Sequence, residues 1–289
     1  MAGPWRQRDS IWQADVASIL VLILFVLLVF GVEQWLQPRF TPASLLATGI
    51  VMTLVPAGIW LAFFYRRDRL EPEPKYLVAQ MFVLGGLLAA AIGIPLVENI
   101  FRVSQWLYTS PVWAQLLGGL LIVGMTQEFL KYAAVRFSVY YSPEFDEAID
   151  GIIYTTAAAI GYATVLNINF VISSGGVGLG SGAIRITLTT LAHASFAGLV
   201  GYFLGRMKFE KRPLWWMPSG LLLAAALNSL FVYLRGTLSQ GSLSGSQAWA
   251  GLLLAALLAA GVTWLLSRAI HHDIVAHESA PPGMPGGVP

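Results

Sequence analysis

Few side chains in this sequence could do chemistry, and nearly all of them fall as polar islands within long apolar runs. The string TQEFLKYAAVRF supplies Gln127, Glu128 and Lys131, FDEAIDGIIY from Phe145 to Tyr154 supplies a group of carboxylates, and Asn167, Asn169, His193 and Asn228 follow. A carboxylate and a neutral imidazole are the groups that activate water, directly or through a metal, so Glu128 and His193 are the first candidates for hydrolysis. Each also has a plainer reading. Glu128 and Lys131 stand three apart on one helical face and can pair. A histidine or asparagine within a membrane helix commonly serves as an interhelical hydrogen-bonding group. No cysteine is present, which excludes disulfides, thiol nucleophiles and cysteine-ligated metals. A last set, His271, His272, Asp273, His277 and Glu278 in HHDIVAHE, reads as a solvated tail, since nothing in the sequence holds these groups together.

The elements that must position these residues are membrane helices. Of 289 residues, 56% are hydrophobic and 11% charged, against roughly 25% charged in a soluble domain. Long apolar runs without alternation read as helices, because a helix satisfies every backbone polar group internally. The expected fold is all-α and polytopic, with about eight spans near 16–36, 43–64, 77–97, 114–137, 149–172, 184–205, 215–235 and 248–267. Residues 1–15 then form an N-terminal segment, 16–267 one membrane domain and 268–289 a disordered tail rich in Pro and Gly. The first run continues without a cleavage-site pattern and is expected to be a retained helix. Alternate loops divide the Lys and Arg residues 13 to 4, which by the positive-inside rule places both termini in the cytoplasm. A net charge of +2 gives no ground for a nucleic-acid partner. The expected partners are the bilayer and transmembrane segments of other proteins.

Several strings, in order, resemble the PrsW family of intramembrane proteases, which belongs to the wider superfamily that includes the type II CAAX prenyl proteases. RDRLEPEPK, ending at Lys75, is similar to the segment before that family's third helix. QEFLK at Gln127 to Lys131 resembles its E-E-x-x-K motif, and FDEAIDGIIY resembles its F-D-E-x-x-D-G-I-x-Y segment. GYATVLN, Gly161 to Asn167, falls where the family has G-F-A-x-x-E-N. HASFAGLVGYFLG, from His193 to Gly205, matches the single-histidine helix, and AAALNSL, from Ala224 to Leu230, sits where the family has H-x-x-x-N. The resemblance covers about residues 65–235.

It implies peptide-bond hydrolysis within the membrane, with a metal or a glutamate and histidine set activating water. This sequence departs from that pattern at three places: Gln127 replaces the first Glu of the pair, Leu166 the Glu of the fifth helix, and Ala224 the His of the seventh. Glu128, His193 and Asn228 remain. One carboxylate, one imidazole and one amide are a poor set for zinc, which takes three or four protein ligands. No cofactor is therefore expected, with zinc implied only if the protease activity survives. The sequence points first to a catalytically inactive family member that binds membrane partners. The alternatives are a protease rewired around Glu128 and His193, a structural subunit of a membrane assembly, and a small transporter. Counting about 1.5 Å per residue along the helices, Leu166 is expected nearer the outer surface than Gln127. That leaves open whether the two positions meet.

Overall fold

The apolar runs fold as helices wherever the structure, a computed structural model, describes the chain: residues 5–67 and 73–240, with Leu253, Leu257 and Gly261 as isolated positions beyond. The elements are α1 (Trp5–Leu36), α2 (Pro42–Arg67), α3 (Lys75–Leu88), α4 (Val103–Trp106), α5 (Val112–Gly118), α6 (Met125–Arg136), α7 (Asp150–Ser173), α8 (Leu179–Phe209) and α9 (Trp216–Gln240). Among the described residues six helical stretches are long and apolar enough to cross a membrane. A further continuous stretch, α5 to α6, coincides with the fourth expected span but carries the polar string from Gln127 to Lys131. The eighth expected span and the histidines of the tail lie outside the described residues.

α1 begins at Trp5, ahead of the apolar run expected at 16–36, whose membrane-length stretch is Ile19–Leu36. α8 runs from Leu179 to Phe209, beyond the apolar run expected at 184–205. Its polar end persists because its cations find acceptors while their stems pack on apolar surface. Arg206 donates to both carboxylate oxygens of Glu210, at 2.6 and 2.8 Å, and Lys208 Nζ donates to the carbonyl of Tyr140 at 2.7 Å and to that of Phe145. The segment following the third span contains α4 and a 3-10 turn at Leu107–Thr109.

Helices α7 and α8 form the centre, and both are apolar or small-residued on nearly all sides. Tyr154, Ala157, Ala158, Phe196, Val200 and Leu204 are fully buried in the main core cluster. α3 lies directly on α7: a Cβ at Gly161 would collide with the backbone carbonyl of Phe82, so the helix backbones touch only because a hydrogen stands there. α1 turns Leu20, Leu24, Leu28 and Leu36 outward, as suits a helix facing acyl chains.

One end of α7 is held by the FDEAIDG string. The Asp150 carboxylate accepts the backbone N–H groups of Asp146 and Glu147, at 2.9 and 2.6 Å, and the Tyr154 hydroxyl donates to Glu73. Phe145 is buried against Tyr140 and Tyr154. This string therefore ties the segment before α3 to the start of α7, a structural task distant in sequence from Glu128 and His193.

Two helical runs are locally widened. π-helical turns occur at Ala89–Gly93 and Pro95–Ile100 after α3, and at Gly119–Gly124 between α5 and α6. Such turns reorient the side chains that follow and are frequent at functional sites. Both runs border the same interior cavity.

Candidate functional site

Four helices contribute to a buried polar cluster. α6 carries Gln127, Glu128 and Lys131, α8 carries His193, α9 carries Asn228, and α7 brings Tyr162 alongside. α6 can approach α9 because Gly124 faces Ala225, where a Cβ would stand 2.5 Å from the Ala225 carbonyl. That contact sets Asn228, one turn further along α9, against the α6 polar string.

Lys131 Nζ donates to Glu128 Oε1 at 2.7 Å and lies 3.2 Å from His193 Nδ1, so its ammonium bridges the carboxylate and the imidazole. An ammonium has only donors, so Nδ1 must accept, and a neutral ring then carries its proton on Nε2. Asn228 Nδ2 donates to Gln127 Oε1 at 3.0 Å and to Glu128 Oε1 at 2.7 Å. Glu128 and Lys131 are fully buried, and His193 and Asn228 nearly so. Within this cluster two buried polar atoms have no hydrogen-bond partner among the described residues: Glu128 Oε2 and the Tyr162 hydroxyl. The Tyr162 ring lies 5.9 Å from the His193 ring. Its hydroxyl occupies the space where a side chain at Gly93 would begin.

Beside this cluster lies a cavity of about 480 Å³. Gln127, Leu166, His193 and Asn228 all line it. The expectation that Leu166 and Gln127 lie at different depths is reconciled by the length of the cavity, which is bordered along α7 from Leu166 to Ser173 as well as by α6. Glu128, Lys131 and Ala224 do not line it. Ala224 is instead packed in the main core cluster. Of the six positions singled out from sequence, four thus face one cavity, Glu128 sits behind Gln127 and Asn228, and Ala224 sits in apolar core.

Sequence reasoning overlooked several residues that share this cavity. Arg185, Thr189 and His193 line it from α8 at intervals of four, while Asn228, Phe231, Val232 and Arg235 line it from α9 at three- and four-residue spacing. That periodicity was readable as one face of each helix. Arg185 and Arg235, counted in the sequence among the basic residues of alternate loops, line the cavity wall. Tyr162 gives no signal of its own, since a tyrosine in an apolar helix reads as core.

Long apolar helices closed around a polar cavity define an α-helical integral membrane protein with a site inside its helix bundle. Residues 73–266 match the family described as PrsW family intramembrane metalloprotease, and the chain belongs to that family. It is similar to Protease PrsW of Geobacillus kaustophilus, 30% identical over 192 residues, which covers 66% of this chain and 79% of the relative. It is also similar to Protease PrsW of Bacillus subtilis, 28% identical over 189 residues, 64% of this chain and 82% of that one. No solved structure matches the chain significantly.

Proposed function

We propose that this PrsW-family protein binds segments of other membrane proteins in its intramembrane cavity without hydrolysing them. The observation that carries this reading is the state of Glu128. The carboxylate best placed to serve as base is fully buried, paired with Lys131, and absent from the cavity lining, where its neighbour Gln127 stands instead. A base must reach the proton it removes within hydrogen-bonding distance or through one water. Gln127, which does face the cavity, cannot accept a proton at neutral pH.

The family description implies a metal, and the donors present here do not fit one. The Lys131 ammonium stands between Glu128 and His193, at the place a divalent cation would need, and a second cation there would be repelled. His193 offers a metal no free lone pair while Nδ1 accepts from Lys131 and Nε2 holds the proton. Leu166 and Ala224 add no ligand. We derive no hydrolytic step through a metal.

Recognition needs none of the missing groups. A cavity lined by Asn167, Asn169, Asn228, Gln127 and Thr189 offers donors and acceptors to the backbone of an unwound segment, which must satisfy its N–H and C=O groups at membrane depth. The setting that suits this role is a bacterial plasma membrane with both termini cytoplasmic, as the relatives' sources and the 13 to 4 division of basic residues support. One observation favours a hydrolytic alternative: Glu128 Oε2 has no partner and could hold a water. The test is cleavage of a panel of co-expressed, membrane-anchored substrates by wild type and Glu128→Ala. No cleavage, together with capture of a panel member by crosslinking from the cavity, is expected. Cleavage by wild type that is abolished in Glu128→Ala overturns the proposal.

A further inference from the structure

The cavity has two ends of different chemistry. At one, Gln127, His193 and Asn228 present neutral polar groups; towards the other, Arg185 from α8 and Arg235 from α9 line the wall. Eight residues of α8 separate His193 from Arg185, and seven of α9 separate Asn228 from Arg235. At about 1.5 Å per residue both counts put the arginines ~10–12 Å from the neutral end, so they share one level.

The arginines differ from the other buried cations of the bundle. Lys131 has Glu128, Arg206 has Glu210, and Lys208 has two carbonyls. Arg185 lies 3.3 Å over the ring of Phe170 and makes no ion pair among the described residues, nor does Arg235. Both guanidiniums belong to residues that line the same cavity. Glu98 also lines the cavity but is exposed and pairs with neither. Two half-buried like charges at one end of the cavity repel each other, and an anion between them would relieve that repulsion.

We propose that Arg185 and Arg235 form an anion-recognition element that receives a carboxylate side chain of the bound segment. This rests on the reading that the cavity takes a polypeptide. At about 3.3 Å per residue, an extended segment would place that acidic residue three to four positions from the residue beside His193 and Asn228. The guanidinium fork suits a carboxylate in two-point contact. A lipid phosphate carries the same charge, but its acyl chain would lie against the polar side chains of Gln127 and Asn169 and offer them no hydrogen-bond partner. A peptide brings one donor and one acceptor per residue to them.

The absence of cysteine makes the test direct. Ser104 lines the cavity and is exposed, so Ser104→Cys in the full chain, in phosphatidylcholine nanodiscs, reports access. Its labelling by an anionic sulfonate thiosulfonate and by a cationic trimethylammonium one is compared, each rate divided by that for free cysteine. We expect about a tenfold preference for the anion, retained in Arg185→Lys/Arg235→Lys and lost in Arg185→Gln/Arg235→Gln. No preference, or one unchanged in the Gln variant, overturns the element. A synthetic transmembrane peptide with one Asp near its outer end, and its Asn counterpart, are then used to protect the cysteine. Stronger protection by the Asp peptide is expected. Equal protection by both overturns this inference and leaves segment binding standing, whereas protection by neither overturns segment binding itself. Protection by phosphatidylglycerol alone, equal to that by the Asp peptide, identifies a lipid headgroup and overturns the assignment to a carboxylate side chain.

Discussion

Replacing Lys131 by Met should destabilise the protein more than any other single conservative change in the polar cluster. Met keeps the unbranched stem and removes the ammonium that lies 2.7 Å from Glu128 Oε1. The carboxylate is then left fully buried with one donor, Asn228 Nδ2 at 2.7 Å, and an Oε2 that already has none. Breaking a buried ion pair from one side costs about 3–5 kcal/mol, because the surviving charge keeps its desolvation penalty and loses its compensation. Replacing both partners, as Glu128→Gln/Lys131→Met, removes both charges and leaves an amide oxygen to accept from Asn228. That variant should lie within about 1 kcal/mol of wild type, which makes the coupling energy at least ~2 kcal/mol. Reversible unfolding in mixed detergent micelles, followed through the ten tryptophans, measures all four corners of the cycle. A loss below about 1 kcal/mol for Lys131→Met, or strict additivity, would refute the reasoning. Either result means that Glu128 is hydrated from the cavity or protonated, and of these only hydration, which a working base needs, would favour the hydrolytic alternative.

Four further outcomes follow from the same structure. A reporter active only outside the cytoplasm should give no signal when fused to the C-terminus, because the basic residues divide 13 to 4; a strong signal would sink the eight-span topology. Elemental analysis of untagged protein should find far less than one zinc per chain, since Lys131 occupies the place between Glu128 and His193, and one equivalent would revive the metalloprotease reading. Gln127→Glu alone should give no proteolysis, and adding Leu166→Glu and Ala224→His should cost a few kcal/mol first, because Ala224 lies in apolar core; cleavage by the single variant contradicts this. Gly161→Ala should destabilise by about 1–3 kcal/mol by forcing α3 away from α7, where the new Cβ meets the Phe82 carbonyl. An unfolding midpoint unchanged from wild type would show that the contact is looser than described.

The all-α membrane fold was legible because span length and backbone satisfaction leave little choice once the chain is this apolar. What escaped the sequence was finer. The end of α8 outran its apolar stretch because Arg206 pairs with Glu210 one turn on, and because Lys208 finds the carbonyls of Tyr140 and Phe145, which belong to a segment distant in sequence. The widened turns at Ala89–Gly93 and Gly119–Gly124 have no reliable signature in residue type. The Glu128 and Lys131 pair was readable from a three-residue spacing, whereas the approach of His193 to Lys131 required the packing of α6 on α8.

The fate of the three departures from the family pattern shows why a motif cannot be read as a single unit. Gln127 keeps the polar volume of a glutamate and still accepts from Asn228, so the α6 to α9 contact survives the loss of charge. Leu166 packs with Leu130 and Tyr162 on one side and borders the cavity on the other, so an apolar residue there stabilises the wall as it removes a carboxylate. Ala224 is fully buried beside α8, where a small side chain favours close helix packing. Each substitution is compatible with its surroundings. Meanwhile FDEAIDG persists because Asp150 caps the turn before α7 and Tyr154 reaches Glu73, tasks owed to the fold. Motif positions that hold the bundle together are retained here, and so are Glu128 and His193, while Gln127, Leu166 and Ala224 replace the other polar groups of the pattern.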